Sequence, residues 1–137
     1  MPNTKAVGDE TEARILHELV ARGHSVAVPF GDNDRYDLLV DTGDELQRVQ
    51  CKTGWREDGC VRFKTGSKTT SDGEPTVVGY DGDIDAFAVR CRDTGQLYWV
   101  PLDVAGEGST YLRVETPEID HPAVNPAAAF CFDEQLS

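Results

Sequence analysis

The sequence predicts an α/β fold with a mixed central β-sheet flanked by helices. Three observations predict it. An amphipathic helical stripe opens the chain, a tight hairpin of two apolar, β-branched runs follows, and a second hairpin of the same character lies between residues 84 and 101.

The helix comes first. Ile15, Leu16, Leu19 and Val20 recur at helical spacing between about Gly8 and Arg22, with Asp9 as the expected cap and Gly23 as the stop. Positions 12, 15, 16 and 19 share one stripe, which puts Glu12 on the buried side and Glu10, Arg14 and Glu18 elsewhere on the wheel. A carboxylate there needs a cation, a donor or water. Taken alone, Glu12 reads first as an acid in a helix's opening turn, near the positive end of the dipole.

Strands follow. His24 to Pro29 reads as one, and Gly31 to Asp34 as a loop leading to the run Arg35-Tyr36-Asp37-Leu38-Leu39-Val40. The turn residues Asp41 to Glu45 connect this run to Arg48-Val49-Gln50-Cys51-Lys52-Thr53. With Gly43 and Asp44 as the loop pair, partner numbers sum to 87, so Asp37 lies across from Gln50. Lys52 then points to the same face as Gln50, while Val49 and Cys51 take the opposite, core-facing parity. An acid, an amide and a lysine converge on one patch.

Beyond this hairpin, Cys60 to Lys64 alternates as a further strand. Thr65 to Pro75, rich in Gly, Ser and Thr, reads as a flexible loop that carries Lys68 and is able to close over a ligand. Ile84 to Cys91 and Gln96 to Pro101 form the second hairpin around Asp93-Thr94-Gly95. Asp103 to His121 shows no decisive period, Ala127 to Phe130 permits a short terminal helix, and Asp133 to Ser137 reads as a frayed end. Asp85 precedes an apolar strand, where capping a turn or pairing with an arginine is the commoner role, so neither it nor Asp83 joins the candidate set.

At 137 residues the chain is expected to form one domain, 1–137, with a single sizeable core. It shows no internal repeat, secretory pattern or membrane-length apolar run, and a soluble, cytoplasmic protein is expected. Cys51, Cys60, Cys91 and Cys131 lack a CxxC pair, which argues against a zinc site or disulfide framework. His17, His24 and His121 lack ligand spacing, and there is neither a Gly-rich phosphate loop nor a nucleophile elbow.

Charge is the second strong signal. Thirteen basic against 25 acidic residues give a net charge of -12, and nine of the basic residues are arginine. This composition resembles the proteins of salt-in halophilic archaea, and a high-salt cytoplasm is the expected setting. Alone, it argues against nucleic-acid binding. At about 1 M salt, however, screening acts over about 3 Å, and counterion release contributes less to binding. The charge is also uneven: Arg48, Lys52, Arg56, Arg62, Lys64 and Lys68 face only Glu57 and Asp58, a net +4 island. With Arg35, the island's Arg48, Arg56, Arg62, Lys64 and Lys68 are candidates for DNA phosphate contacts; a solvated hairpin pairing with surrounding acids is the competing account.

Glu12, Asp37 and Gln50-Cys51-Lys52 together resemble the PD-(D/E)XK nuclease superfamily: an acid on the first helix, an Asp opening one strand, an acid-x-Lys on the next. Within it, the chain resembles the group I intron-encoded homing endonucleases of this fold and uncharacterised haloarchaeal relatives. The runs Gly31 to Asp37, Val49 to Thr53, Asp83 to Val89 and Tyr98 to Pro101 fit that group, so the resemblance covers about residues 8–101 and leaves 102–137 as a C-terminal extension. Archaeal Holliday junction resolvases are also similar.

The resemblance implies a restriction-endonuclease-like core and Mg²⁺-dependent hydrolysis of DNA phosphodiesters, with Mn²⁺ able to substitute. Glu12, Asp37, Gln50 and Lys52 are the implied catalytic residues. Asp37, Gln50, the Cys51 backbone carbonyl and Glu12 are the implied metal ligands. Lys52 would orient or deprotonate the attacking water, or neutralise developing charge. Cutting both strands from so small a chain implies a homodimer or higher homo-oligomer. Gln50 departs from the usual acid; its amide oxygen still suits a hard cation but brings less charge. That departure keeps open a nuclease-fold module that binds nucleic acid or protein without cutting.

Overall fold

Helix α1 runs Thr4–Ala21 in the computed structural model, which describes residues 4–31, 35–71, 74–78, 83–106, 108–114 and 125–136. It starts earlier than expected. Asp9 lies inside the helix rather than at its cap, because Lys5 and Ala6 favour helix and Gly8 costs only about 1 kcal/mol within it. The inward stripe is Thr11, Ile15 and Leu19; Glu12 and Leu16, expected on it, are only half-buried, and Val20 is 56% exposed. Gly23 stops the helix at φ +90, with Gly23 N–H donating to Val20 O and His24 N–H to Leu19 O, the paired bonds of a Schellman motif.

The strands in order are β1 Ser25–Ala27, β2 Leu38–Asp41, β3 Leu46–Glu57, β4 Cys60–Lys64, β5 Ser67–Ser71, β6 Glu74–Val78, β7 Ala86–Cys91, β8 Leu97–Pro101, β9 Ser109–Arg113 and β10 Asn125–Pro126. β3 organises them. It pairs antiparallel with β2 at its start, parallel with β7 over Val49 to Gly54, and antiparallel with β4 over Trp55 to Glu57. β1 extends the sheet beyond β2, β8 beyond β7, and β9 then β10 beyond β4. Parallel and antiparallel pairs make the sheet mixed, as the sequence predicts.

The long strand continues to Glu57 because Asp58 and Gly59, both at positive φ, turn it directly into β4. At Gly54 it crosses from one partner set to the other. A Cβ there would meet Arg62 O at 3.0 Å, Val61 Cγ1 at 3.0 Å and Val89 Cγ1 at 3.1 Å, so the close approach of β4 depends on glycine.

Two cores lie on opposite faces. Alternation along β7 sends Ala86 and Ala88 toward α1, where Ile15, Leu19, Val49 and Trp99 pack. Phe87, Val89 and Cys91 face the other way, against Phe63 of β4 and Leu112 of β9.

Three expectations are corrected. Thr65 to Pro75 is not a loop: β5 and β6 pair as a separate hairpin, rich in β-branched Thr69, Thr70, Thr76 and Val77. The undecided stretch after Asp103 contains β9, a run of only five residues, Ser109–Arg113, that pairs along all of β4. Residues 115–124, including His121, lie outside the described residues, as does the loop segment 32–34. The terminal helix is split: Ala127–Phe130 is a 3-10 turn and α2 spans Phe132–Gln135. The end is anchored rather than frayed, since Phe132 is buried against Trp99 at 6.0 Å between ring centroids and Asp133 pairs with Arg22 at 2.6 Å.

Candidate active site

The β2–β3 ladder keeps the predicted register, from Asp41–Leu46 to Leu38–Val49. One step further the regular pattern gives way. Asp37 N–H donates to Val49 O at 2.8 Å, and the Asp37 Oδ2 accepts from Cys51 N–H at 2.8 Å. Where β2 ends, the carboxylate of Asp37 thus takes the place of a backbone acceptor for β3. The N–H and C=O of a strand residue share one edge, so the Cys51 carbonyl also faces the edge that Asp37 occupies.

Burial pushes the Asp37 carboxyl above its usual range; the Cys51 N–H and the nearby Lys52 ammonium partly offset this. Glu12, half-buried on α1, is raised by burial and then by repulsion from Asp37 and Asp9. The Cys51 thiol is held well above its ordinary value by burial and by both carboxylates, so it stays protonated and acts as a packing group on the α1 side. Gln50 and Lys52 stand on the opposite parity, level with Phe87 and Val89 of β7. The structure therefore couples Asp37 to Glu12, Cys51 and Lys52 just before β2, while the register turns Gln50 and Lys52 to the sheet face opposite α1.

These groups suit a hard divalent cation: two partly desolvated carboxylates that repel, an amide oxygen, and a carbonyl on the same edge. Among the described residues no cluster of three or more His, Cys, Asp or Glu gathers for a metal, and position 50 offers an amide.

A polar clamp beside the site was not legible in the sequence. Thr11 Oγ1 and Thr53 Oγ1 are 2.7 Å apart, and Arg90 Nη1 donates to Thr11 Oγ1 at 3.4 Å while its Nη2 reaches Glu10 at 3.2 Å. Thr11 is 1% exposed. The clamp ties the residue before Glu12 to the residue after Lys52, fixing helix against strand. One polar position in the stripe Thr11, Ile15, Leu19 was its only sequence signal.

The basic island divides. Arg48 is held by Asp85, with its N–H 2.8 Å from Oδ2 and its Nε and Nη2 each 3.3 Å from the carboxylate. Burial pushes the Asp85 carboxyl up, but the side-chain and backbone bonds and the charge of Arg48 outweigh it and leave it below its usual value. Asp85 is thus an arginine partner, as the sequence indicates. Arg35 pairs with Asp83 at 3.4 Å, and Arg56 N–H donates to Asp93 at 2.6 Å. Arg62 and Lys64 share the outward face of β4, and the side chain of Lys68 on β5 lies outside the described residues.

Residues 2–133 match the family model described as PD-(D/E)XK endonuclease. The chain belongs to that family. No curated protein matches it. Among solved structures, the PD-(D/E)XK chain is similar to a bacterial homing endonuclease, I-Ssp6803I, at TM-score 0.79 and 24% identity, covering 98% of this chain and 93% of that one. At that identity the likeness shows the fold, a restriction-endonuclease-like α/β architecture. The family match reaches past β9 to residue 133, further than the 8–101 that the sequence resemblance spans. In this PD-(D/E)XK chain no helix is long and apolar enough to cross a membrane among the described residues.

Proposed function

We propose that this PD-(D/E)XK chain is a Mg²⁺-dependent DNA endonuclease, with Mn²⁺ able to substitute. The observation that carries the reading is the convergence just before β2: an Asp37 carboxyl raised by burial, Lys52 charge beside it, its Oδ2 held by the Cys51 N–H at 2.8 Å, and Glu12 raised by burial and then by Asp37. Asp37, Gln50, the Cys51 carbonyl and Glu12 would hold the metal. When bound, it supplies Lewis acidity, lowering the pKa of water and neutralising phosphate charge.

The chain's own residues do the rest. Asp37, anchored by the Cys51 N–H, has its carboxylate fixed before substrate arrives. Lys52 lies next to it, where its ammonium would donate to the scissile phosphate or orient the attacking water. The Thr11–Thr53 clamp would hold the turn of α1 that carries Glu12 against β3. A homodimer or larger assembly would supply the second cut, and a cytoplasm rich in KCl suits a surface of net charge -12.

The test is cleavage of supercoiled plasmid and of a synthetic four-way junction in concentrated KCl, with Mg²⁺ or EDTA. Wild type should cut only with metal, and Lys52→Ala should cut about 10²- to 10⁴-fold more slowly while unfolding at the same temperature. Preference for the junction would make the chain a Holliday junction resolvase. Gln50 favours one other reading, a binding module on the nuclease fold: duplex binding with no cutting under any metal would select it.

A further inference from the structure

β1 forms one edge of the main sheet, and the last pair of its ladder is Ala27 with Leu39. Both chains leave that pair at the same end of the sheet, with Phe30 three residues after Ala27 and Asp37 two residues before Leu39. Chain reach and cross-strand spacing keep the Phe30 and Asp37 Cα atoms within about 24 Å, less than the roughly 34 Å of one B-form turn. Phe30 is 104% exposed, and Val28 just before it is also exposed. Gly31 follows at φ +103, which lets the chain turn directly after the ring. Val20 and Leu46, exposed as well, lie toward the other end of β1: Val20 accepts the Gly23 N–H where α1 stops, and Leu46 shares a row with Asp41 and Ser25. At the Asp37 end, one ring stands wholly in water and adds no burial to the fold.

We propose that Phe30 is a wedge that stacks on a nucleobase displaced from the duplex within one turn of the scissile phosphate. The inference rests on the nuclease reading and adds what its substrate must do near the cut, which is to open a base step. Area chooses the occupant. An aromatic side chain buries about 150–250 Å², against about 800 Å² per partner in a stable protein–protein interface. A nucleobase covers such a ring alone, whereas a second copy of the chain would need far more apolar surface than Phe30 and Val28 offer.

Stacking also suits the charge of the chain. A protein of net charge -12 gains little from phosphate attraction, and less as salt rises. Contact between a ring and a base is uncharged, so screening leaves it intact, and it tolerates any sequence because every base has a π-face. Displacing a base costs unstacking free energy, least where the base is mismatched or unpaired. The DNA that this arrangement favours therefore carries an unpaired base near the cut.

The experiment is fluorescence anisotropy in concentrated KCl, with Ca²⁺ in place of Mg²⁺ to prevent turnover, on a labelled random-sequence duplex and on the same duplex with a central three-base bulge. Wild type should bind the bulged DNA about 5- to 150-fold more tightly, the range expected for one stacked base. Phe30→Ala should bring the two affinities together, and Phe30→Trp should keep them apart. Val20→Ala, at the other end of β1, should behave as wild type, and thermal unfolding checks that every variant folds. Equal wild-type affinities, or a preference that survives Phe30→Ala, would overturn the proposal. So would self-association of wild type that Phe30→Ala abolishes, since the ring would then be covered by a second copy. Cleavage in Mg²⁺ without a preference that depends on Phe30 would remove the wedge and keep the nuclease reading; the preference without cleavage under any metal would do the reverse.

Discussion

Gly54→Ala tests whether the close approach of β4 to β3 shapes the molecule. The added Cβ would stand 3.0 Å from the Arg62 carbonyl oxygen and 3.0 to 3.1 Å from two valine methyls, inside ordinary contact distances. The methyls can turn, but the carbonyl belongs to the β4 backbone, so strands must part by several tenths of an ångström. Overpacking of this kind costs about 1–3 kcal/mol. Alanine recovers about 0.5–1 kcal/mol of that through lower unfolded-state entropy. At mid-range, about 2 less about 0.75, the net loss is about 1.2 kcal/mol, or a melting temperature lower by about 4–6 °C in a domain of this size. Gly8→Ala is the counterpart: Gly8 lies in α1 with nothing within 4 Å of its Cβ position, so there the entropic gain of about 0.5–1 kcal/mol stands alone. Thermal and urea unfolding of both variants in the same buffer should move in opposite directions. A Gly54→Ala protein as stable as wild type would refute the reasoning, because it would mean that the crossing point is loose.

Asp37→Asn should abolish cleavage yet raise the melting temperature in EDTA. Burial holds the folded-state pKa of Asp37 above its ordinary value, so its contribution to stability is full below that ordinary value and is lost as pH rises through the folded pKa. The variant's advantage should be visible at neutral pH, shrink on acidification toward pH 4, and reverse when Mg²⁺ stabilises only the wild type; melting curves at several pH values check the sign. Phe132→Ala should cost about 3–5 kcal/mol, since its ring is 2% exposed, packs edge-on to Trp99 and lies 5.7 Å from the Arg22 guanidinium. A loss under about 1 kcal/mol in urea titration would show that the terminal helix is only loosely attached.

The β2–β3 register was legible because two turn residues fix every later pair, and the strand parity that separates Gln50 and Lys52 from Cys51 follows directly. The early start of α1 and the anchored end were not. Gly8 masked the first, and the second depends on Phe132 meeting Trp99 and Arg22, contacts separated by many residues and marked by no local pattern. β9 escaped for a similar reason: a strand with Ser109, Tyr111 and Arg113 outward looks like loop until β4 is beside it. The fates of Arg35, Arg48 and Arg62 were equally hidden, since a run of basic residues in sequence does not say which of them meet Asp83, Asp85 or two aromatic rings.

One strand, β3, passes through both cores, with Val49 packed on the α1 side and Gly54 pressed against β4, while Gln50 and Lys52 lie between. Its amides therefore belong to no peripheral unit that opens independently; exchanging them with solvent requires releasing α1 from one face or β4 from the other. The strand that bears Gln50 and Lys52 should thus exchange more slowly than the edges of the sheet, so that any adjustment around it comes from its neighbours, moving against a strand that stays put.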